Sequence, residues 1–432
     1  MQAALIIPLA LGAVGAEPGG GLDIKQAVEV ALARAPALEA RRAQEAAARA
    51  QAESASGAYL PRITFEANYL ARSPKNKLPV DLPTIPGVSF DIGEVDDVHH
   101  LQVGLQAGYR VFDLSRGHRV DAARVKADAE VAETEARAAD LAYGVRATFL
   151  AALYARDVRD ITQASLALAR EEEKRSELRV KAGVESDVAL AQAKVRVAGL
   201  AAQARRASLE LERYRARLAS LMGQDSLPEL EGDLEALGAP TAPLDPEAHP
   251  ELRRLAALEQ ASLQMASARK LDLVPTLTVM GRASLQYPRA MKLELGPVYE
   301  AGATLSWSIF DGFQRGSDID AAKAQAEALA RMSEATRENL ARDLIDLDAR
   351  AKTAEADLAS ADETLQQTQV YLRVARASVS AGAGTELDVH TAELGLDQAK
   401  VARKKALFER AMIRAETLKV YGRGASPSGG AS

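Results

Sequence analysis

The sequence predicts an α+β membrane protein in which one structural unit occurs twice along the chain. Each copy reads as two alternating strands, a long helical run and a Gly-x-Glu-x-Asp-Val turn. The helical runs contain no proline over about 65 residues, and at about 1.5 Å rise per residue such a helix measures roughly 100 Å. Such helices are longer than the core of an ordinary globular domain, so we expect them to span a space of about their own length.

The repeat is defined by landmarks that occur in the same order in both copies. Each strand pair ends in Phe-Asp, at 112–113 and at 310–311, and an Arg-Gly pair follows each one. Each helical run closes in a glycine turn, at 183–188 and at 384–389. Internal duplication of this kind indicates pseudo-symmetric halves within one architecture. The resulting division is a first repeat at 17–222, an inter-repeat linker at 223–248 and a second repeat at 249–422.

Composition narrows the class of protein. Alanine dominates and only 4% of residues are aromatic, which favours long helices that pack closely. The 54 basic and 60 acidic residues are interspersed and give a net charge of -6, which argues against binding to nucleic acid. Cysteine is absent, which excludes a disulfide framework, a thiolate metal site and an acylated N-terminal cysteine.

The two ends of the chain have distinct compositions. Residues 1–16 are uncharged and apolar, and Val14, Gly15 and Ala16 fit the small-residue pattern of a signal-peptidase site. We therefore expect a signal peptide at 1–16 and export of the protein. The alternatives are an apolar N-terminal extension and a misplaced start codon. Residues 423–432 are rich in glycine and serine, which predicts a disordered tail.

Four segments alternate apolar and polar residues over about ten positions, the length that crosses a bilayer when the strand is tilted. Apolar residues stand at odd positions, so we expect Leu105 and Leu305 to face lipid, and Gln106 and Thr304 to face a lumen. For one isolated strand, a sheet lying over a soluble core would be the better explanation. The spanning length of all four and the expected export favour a transmembrane barrel. The predicted membrane-interface aromatics are Tyr69, Tyr109, Tyr287 and Trp307.

An open sheet edge cannot face lipid, so several chains must associate to close a barrel. Two chains would supply eight strands, whose interior fills with side chains, whereas three would supply twelve and leave a lumen. The polar strand faces therefore favour three or more chains. The helical runs would continue the same wall into water, which predicts passage of solutes across an outer membrane.

The second helical run also carries a coiled-coil heptad in which alanine alternates with leucine. Its members are Leu344, Leu347, Ala351, Ala354, Leu358, Ala361, Leu365, Thr368, Leu372, Ala375 and Val379. Return helices are predicted after the glycine turns, at about 187–222 and 388–421. Each half therefore reads as helix, strand, strand, long helix and helix.

The order of these motifs, present twice, resembles the TolC-like outer-membrane efflux proteins over about residues 22–422. The resemblance implies a homotrimer with a 12-stranded transmembrane β-barrel, at four strands per chain. It implies that a long periplasmic α-helical barrel continues this barrel. The expected location is the outer membrane of a Gram-negative bacterium, in contact with its lipid. The expected partners are a periplasmic adaptor (membrane fusion protein) and an inner-membrane pump of the RND, ABC or MFS type, in tripartite efflux or type I secretion.

The resemblance also places the glycine turns at a periplasmic tip. There it assigns Asp187 and Asp388 to the constriction, with Gly183 and Gly384 as turn residues that allow positive φ. A further acidic position of the family matches Thr391 here, and the family's turn arginine has no counterpart. Asp388 follows Thr385 at capping-box spacing, so a helix cap explains this aspartate equally well.

No motif predicts catalysis or a cofactor. Gly-x-Ser-x-Gly, phosphate-loop and His-Glu-x-x-His patterns are absent. His99 and His100 have no patterned carboxylate or cysteine beside them, so they are predicted to be loop histidines and not metal ligands. We expect no enzyme, no cofactor and no metal site. Two alternatives stay open: a periplasmic coiled-coil adaptor or scaffold without a channel, and a cytoplasmic coiled coil that retains residues 1–16.

Overall fold

The computed structural model describes residues 21–73, 97–235, 237, 248–289 and 292–422. The signal peptide expected at 1–16, the tail expected at 423–432 and most of the 71–99 loop lie outside these residues. No helix in the described ranges is both long enough and apolar enough to cross a membrane.

The helices and strands follow the predicted order. They are α1 (Ile24–Arg34), α2 (Pro36–Ser56), β1 (Arg62–Ala71), β2 (His99–Phe112), α3 (Ser115–Lys181), α4 (Asp187–Met222), α5 (Pro250–Leu271), β3 (Thr276–Tyr287), β4 (Gly296–Ser306), α6 (Gln314–Ser380) and α7 (Glu386–Val420). The two long helices, α3 and α6, contain 67 residues each. Contacts divide the chain into a sheet unit, residues 43–132 and 253–335, and a helical unit that holds the remaining segments.

The sheet unit contains one antiparallel four-stranded sheet in the order β1-β2-β3-β4. Its register pairs odd positions with odd positions, as in Phe65 with Leu105, Leu105 with Ala283, and Ala283 with Tyr299. Because side chains alternate along a strand, most apolar residues of the four strands lie on one face and most polar residues on the other, and Leu70, Met280 and Val298 are apolar exceptions on the polar face. The alternation predicted from the sequence is confirmed.

The apolar face of the sheet is uncovered. Ile63 is 67% exposed, Phe65 is 68% exposed and Leu305 is 66% exposed. Within the described residues β1 and β4 are the edges of the sheet, and each has a partner on one side only. A continuous apolar face with free edges is a surface that a soluble monomer does not tolerate, so it requires a covering medium and a strand partner.

The Phe-Asp landmark of the first copy marks the start of α3. Asp113 Oδ1 accepts hydrogen bonds from the Ser115 backbone N–H at 3.0 Å, the Ser115 hydroxyl at 2.7 Å and the Arg116 backbone N–H at 3.2 Å. Burial alone would raise the pKa of Asp113, but hydrogen bonds from Ser115 and Arg110 outweigh it and lower the pKa. Arg116 donates to the Ala58 and Arg110 carbonyls and lies over the Tyr59 ring. The motif therefore ties the end of the strand to the start of the helix.

The second copy of this junction has a different backbone. Asp311 pairs with Arg315 at 3.2 Å, and Arg315 donates to the Ser308 carbonyl at 3.3 Å. Gly312 and Phe313 both adopt the left-handed conformation, with φ of 68° and 66°. For phenylalanine this conformation is strained.

The side chain of Trp307, just beyond β4, is largely exposed and donates its indole N–H to the Leu273 carbonyl at 3.0 Å.

The helical unit is held by a core that five segments share. Its fully buried members come from α1, α3, α4, the chain after α4, and α7. They include Val28, Phe149, Leu150, Leu153, Leu218, Met222, Leu234 and Leu407. The segment after α4 is fixed by a parallel bridge between Leu22 and Leu230. Part of the segment predicted as a linker therefore belongs to the hydrophobic core of the helical unit.

The heptad predicted for α6 is confirmed by its burial. Leu372 and Ala375 form a buried cluster with Val389 and Ala392 of α7. Farther from the turn, Leu347 and Ala354 pack with Ile413 of α7. The alternation of leucine with alanine allows the two helices to approach closely along their length.

Candidate functional site: the glycine turns and the polar sheet face

The first glycine turn joins α3 to α4. Gly183 has φ of 71°, as predicted, and a Cβ there would meet nothing within 4 Å. Ser186 caps α4, because its hydroxyl accepts the Ala189 backbone N–H at 3.3 Å. Asp187 is the first residue of α4 and is exposed, so its carboxylate lies in the first helical turn, where the helix dipole favours negative charge.

In the second glycine turn, the prediction that Gly384 supplies the positive φ is wrong. The left-handed residue is Gly382, with φ of 74°. Gly384 is needed for a different reason, since a Cβ there would lie 3.0 Å from the Ser378 Cβ and 3.2 Å from the Val379 backbone N. A side chain at Gly384 would press on the last turn of α6.

Asp388 caps its own helix. Its Oδ2 accepts hydrogen bonds from the Thr385 backbone N–H at 2.8 Å and the Thr385 hydroxyl at 2.7 Å, and its own N–H donates back to the hydroxyl oxygen at 3.3 Å. The hydroxyl bond and then the backbone bond lower the pKa of Asp388. The carboxylate is nevertheless exposed, so capping and a charged surface coexist at this residue.

The two turns lie beside each other at one end of the helical unit. Arg179 of α3, just before the first turn, lies 3.8 Å from the carboxylate of Glu386, which begins α7 after the second turn. Large apolar side chains at both turns are exposed, with Val184 at 74% and Leu387 at 72%. This end therefore presents carboxylates together with uncovered apolar side chains.

Close to the turns, one arginine joins the helices. Arg196 of α4 donates to Glu172 of α3 at 2.8 Å and to Glu393 of α7 at 2.7 Å, and it also contacts His390 Nδ1. Arg376 of α6 donates to Glu393 at 2.9 Å. Burial would raise the pKa of Glu393, but the hydrogen bonds from both arginines outweigh it and lower the pKa. Sequence analysis missed this cluster, which we call the Arg196 network.

The Arg196 network also accounts for a group of ligand-type atoms. Glu172, His390 and Glu393 each offer one ligand atom, and these atoms lie within 4.8 Å of one another. The Arg196 guanidinium contacts all three side chains. The guanidinium is therefore the cation with which these three side chains interact, in the place where a metal ion would otherwise be held.

The polar face of the sheet carries a second charged group. Arg282 of β3 donates to Gln106 of β2 at 2.6 Å and to Glu66 of β1 at 3.4 Å. Its other terminal nitrogen lies 3.8 Å from the carboxylate of Glu300 on β4. Arg282 thus contacts a polar side chain on each of the other three strands of the sheet.

The predicted interface aromatics lie at both ends of the sheet. Tyr69 hydrogen-bonds His99 at 2.8 Å and Tyr287 donates to Asp97 at 2.6 Å, at the end where the strand-connecting loops lie. Tyr109 and Trp307 lie at the opposite end, where strands lead into helices.

The prediction that His99 and His100 are loop residues is wrong. Both lie at the start of β2, where pairing with β1 extends the strand.

A sheet with one apolar and one polar face, attached to paired long helices, defines a membrane channel of the outer-membrane type. The sequence profile described as "Outer membrane efflux protein" matches residues 27–224 and 247–417. The chain belongs to this family, and it is an outer-membrane efflux channel. The family is one of transport proteins and not of enzymes. A periplasmic adaptor without a channel is accordingly not favoured.

Solved structures share the fold. A membrane protein from Pseudomonas aeruginosa superposes with a TM-score of 0.78 at 19% identity, covering 92% of this chain and 93% of that one. The outer membrane protein VceC from Vibrio cholerae gives 0.74 at 18% identity, covering 93% and 97%. The CmeC outer membrane channel of Campylobacter jejuni gives 0.77 at 17%, covering 93% and 86%. No curated protein sequence matches the chain.

Proposed function

We propose that three copies of this chain form a homotrimeric channel in which β4 of one copy pairs with β1 of the next. The observation that carries the proposal is the uncovered apolar face bounded by two edge strands. Because backbone groups at an edge have no hydrogen-bond partner in lipid, the sheet must close on itself through other chains. With four strands per chain, three chains give a 12-stranded barrel wide enough for a lumen.

In this assembly the apolar face contacts outer-membrane lipid and the polar face lines the lumen. Leu105 and Leu305 share the first face, and Gln106 and Thr304 share the second, which supports the proposed orientation. Tyr69, Tyr109, Tyr287 and Trp307 would then lie at the two membrane interfaces.

The two repeats supply equivalent parts of the channel wall. We assign 1–16 to a signal peptide, 17–222 and 249–422 to the repeats, 223–248 to the linker and 423–432 to a tail. Support comes from the equal length of α3 and α6 and from return helices of 36 and 35 residues. In the trimer the helices of the six repeats form the periplasmic barrel.

The glycine turns form the periplasmic tip. There Asp187 and Asp388 would contribute carboxylates to the constriction, supported by the exposure of both residues and by the contact between Arg179 and Glu386. The exposed Val184, Val188 and Leu387 at these turns suit docking of a partner. That partner is a periplasmic adaptor, which joins the channel to an inner-membrane pump of the RND, ABC or MFS type, for efflux or type I secretion.

Engineered cysteines test the trimer directly, because the chain has none of its own. Ala67 lies on β1 and both Ala301 and Ala303 lie on β4, all on the apolar face. Within one chain these strands are three spacings apart, about 14 Å, which exceeds the roughly 7 Å limit for a disulfide. Oxidation of Ala67→Cys combined with Ala301→Cys or Ala303→Cys is expected to link chains into dimers and trimers on a denaturing gel.

The control places the second cysteine on a central strand. Ala67→Cys with Ala283→Cys is expected to stay monomeric after oxidation, since β3 is already paired on both sides. Light scattering in detergent should give three times the mass of one chain. A monomer that stays soluble without detergent, or equal cross-linking by the control pair, would reject the proposed assembly.

A further inference from the structure

Helix α4 carries an uncovered stripe of residues that step by three and four positions, which we call the α4 stripe. Its members, all exposed, are Val195, Ala198, Ala202, Arg205, Leu209, Glu212 and Ala216. Val195 is 73% exposed and Leu209 is 59% exposed. A heptad of this kind, in which alanine alternates with larger residues, is a surface that packs against another helix.

Helix α6 carries a second stripe of the same spacing, which we call the α6 stripe. Its members, all exposed, are Ala356, Ser360, Glu363, Gln367, Val370, Val374 and Ala377. Val370 is 44% exposed and Val374 is 56% exposed. Leu372 and Ala375, which pack on α7, lie about half a turn away from these valines around the helix axis. The α6 stripe is therefore free to pack on a second helix, in addition to α7.

The two stripes lie on helices at opposite ends of a series of contacts. Hydrogen bonds and ion pairs join α4 to α3 and α7, α3 to α7, and α7 to α6. They include Arg196 with Glu172, Arg196 with Glu393, Ser165 with Asp397, and Glu416 with Arg350. Among the described residues, no hydrogen bond or ion pair joins α4 directly to α6. Each of these two helices thus has one face without a helix beside it.

The same contacts show which residues of the two stripes are level. The helices α4, α3, α7 and α6 alternate in direction, so a step of one residue along one helix is matched by one residue along the next. Counting through Arg196 and Glu172, Ser165 and Asp397, and Glu416 and Arg350 places Ala202 level with Val370. The other level pairs are Val195 with Ala377, Ala198 with Val374, Arg205 with Gln367, Leu209 with Glu363, Glu212 with Ser360, and Ala216 with Ala356.

The apolar parts of the two stripes are complementary in size. Ala198 and Ala202 are each level with a valine, and Val195 is level with an alanine. Large side chains of one stripe therefore meet small side chains of the other, as in the knobs-into-holes packing of a coiled coil.

The polar parts of the stripes also match. Arg205 is level with Gln367 and lies one helical turn, about 6 Å along the axis, from Glu363. The aliphatic stem of Glu363 is level with Leu209 and can cover it. Over this height the described charges without a partner in their own chain sum to zero. They are Arg205, Arg206, Glu212 and Glu363.

We propose that the α4 stripe of one copy packs against the α6 stripe of the next, forming a seam that closes the helical part of the channel. The inference rests on the proposed trimer and identifies the helix surfaces that its copies share. A contact between two different surfaces closes into a ring under threefold rotation. That rotation leaves height along its axis unchanged, so residues level within one chain are level between copies whose helices run along the axis.

Engineered cysteines test the seam in the purified trimer. Oxidation of Ala202→Cys with Val370→Cys is expected to give dimers and trimers on a denaturing gel, because packed helices bring these positions near the roughly 7 Å limit for a disulfide. Ala202→Cys with Ala377→Cys lies one heptad out of register, about 10 Å along the helix. Gln203→Cys with Gln369→Cys is level but lies off both stripes, at exposed positions. Both control pairs are expected to stay monomeric.

A size exchange tests the packing without a cross-link. Ala202→Val adds volume to a filled seam and Val370→Ala leaves a gap, so each should speed dissociation of the trimer in detergent about tenfold. Ala202→Val with Val370→Ala exchanges the two sizes and should restore the rate of the parent. Gln203→Val, off the stripe, should leave the rate unchanged.

The outcomes distinguish the seam from the channel proposal. A parent protein that gives no trimer rejects the proposed channel. A trimer in which the strand cysteines Ala67→Cys and Ala303→Cys cross-link, but the stripe cysteines do not, overturns the seam alone and leaves the stripes to solvent or another protein. Equal cross-linking by either control pair, or a size exchange that fails to restore the rate, also overturns it. Cross-linking confined to the level pair, with recovery in the exchange, supports it.

Discussion

Replacing Arg196 with methionine should loosen the helices next to the glycine turns. Arg196 is the group that contacts α3 and α7 from α4, through Glu172, Glu393 and His390. Methionine keeps an unbranched apolar side chain, although a shorter one, and removes all of these hydrogen bonds. Glu393 would retain Arg376 at 2.9 Å, whereas Glu172 would lose its short bond to an arginine.

The expected loss follows from burial and charge. Hydrogen bonds to charged groups contribute about 1.5–3 kcal/mol each when they are well shielded. Here the Arg196 and Glu172 side chains are 28% and 29% exposed, so solvent weakens their pair, while Glu393 is only 13% exposed. Most of the effect therefore comes from Glu393, which keeps one of its two arginines. We expect a loss of about 2 kcal/mol for local opening, which is about 30-fold in the opening equilibrium.

Hydrogen exchange followed by mass spectrometry measures this local equilibrium in detergent. Backbone amides of residues 389–396, in the first turns of α7, should exchange about 30-fold faster in Arg196→Met. Arg175→Met is the matched control, because its pair with Glu171 is 64% and 65% exposed and should contribute at most about 0.5 kcal/mol. Equal exchange rates in the two variants would show that the Arg196 network does not hold α7.

Three further predictions concern the membrane face, the tip and acid stability. Leu305→Arg should destabilise the assembled barrel by about 2–4 kcal/mol and Thr304→Arg by far less, as judged by the yield of folded trimer; equal defects would contradict the assigned faces. A multivalent cation added on the periplasmic side should block bilayer conductance, and Asp187→Asn with Asp388→Asn should weaken the block without affecting assembly; an unchanged block would leave Asp388 as a helix cap alone. Because the pKa of Glu393 is lowered in the folded state, its stabilisation is present above the unfolded value of about 4.5 and is lost as pH falls through the folded pKa. Thermal midpoints of the parent and Glu393→Gln should therefore differ at pH 7 and converge below about pH 4.5, and a constant difference down to pH 3 would rule out this contribution.

Local patterns in the sequence were sufficient to predict the elements of the fold. Alternation at odd positions located the strands and their faces, and long stretches without proline located α3 and α6. The sequence predicts that the second strand pair ends in Phe-Asp at 310–311, and the apolar alternation does continue to Ile309, but β4 ends at Ser306. Ser306 pairs with Thr276, the first residue of β3, so later residues have no strand partner. A strand ends where its partner ends, and a single strand's sequence does not contain that information.

The candidate site was less predictable because its contacts join distant segments. Arg196 and Glu393 come from different repeats, and no local spacing relates them. The second glycine turn contains two glycines, and only the backbone geometry shows that Gly382 carries the positive φ while Gly384 relieves crowding. Asp388 was recognisable in advance as a cap because its partner Thr385 lies within the same helical turn.

The position of Trp307 gives the protein a built-in optical reporter. It is the only tryptophan in the chain, and the residue is 58% exposed at the junction where β4 leads towards α6. Indole emission depends on the polarity around the ring, and excitation at wavelengths that the 10 tyrosines do not absorb limits the signal to this one point at the edge of the sheet. Insertion into vesicles can therefore be followed in real time without a label, and lipids that carry quenching groups at known depths would locate the second strand–helix junction in the bilayer.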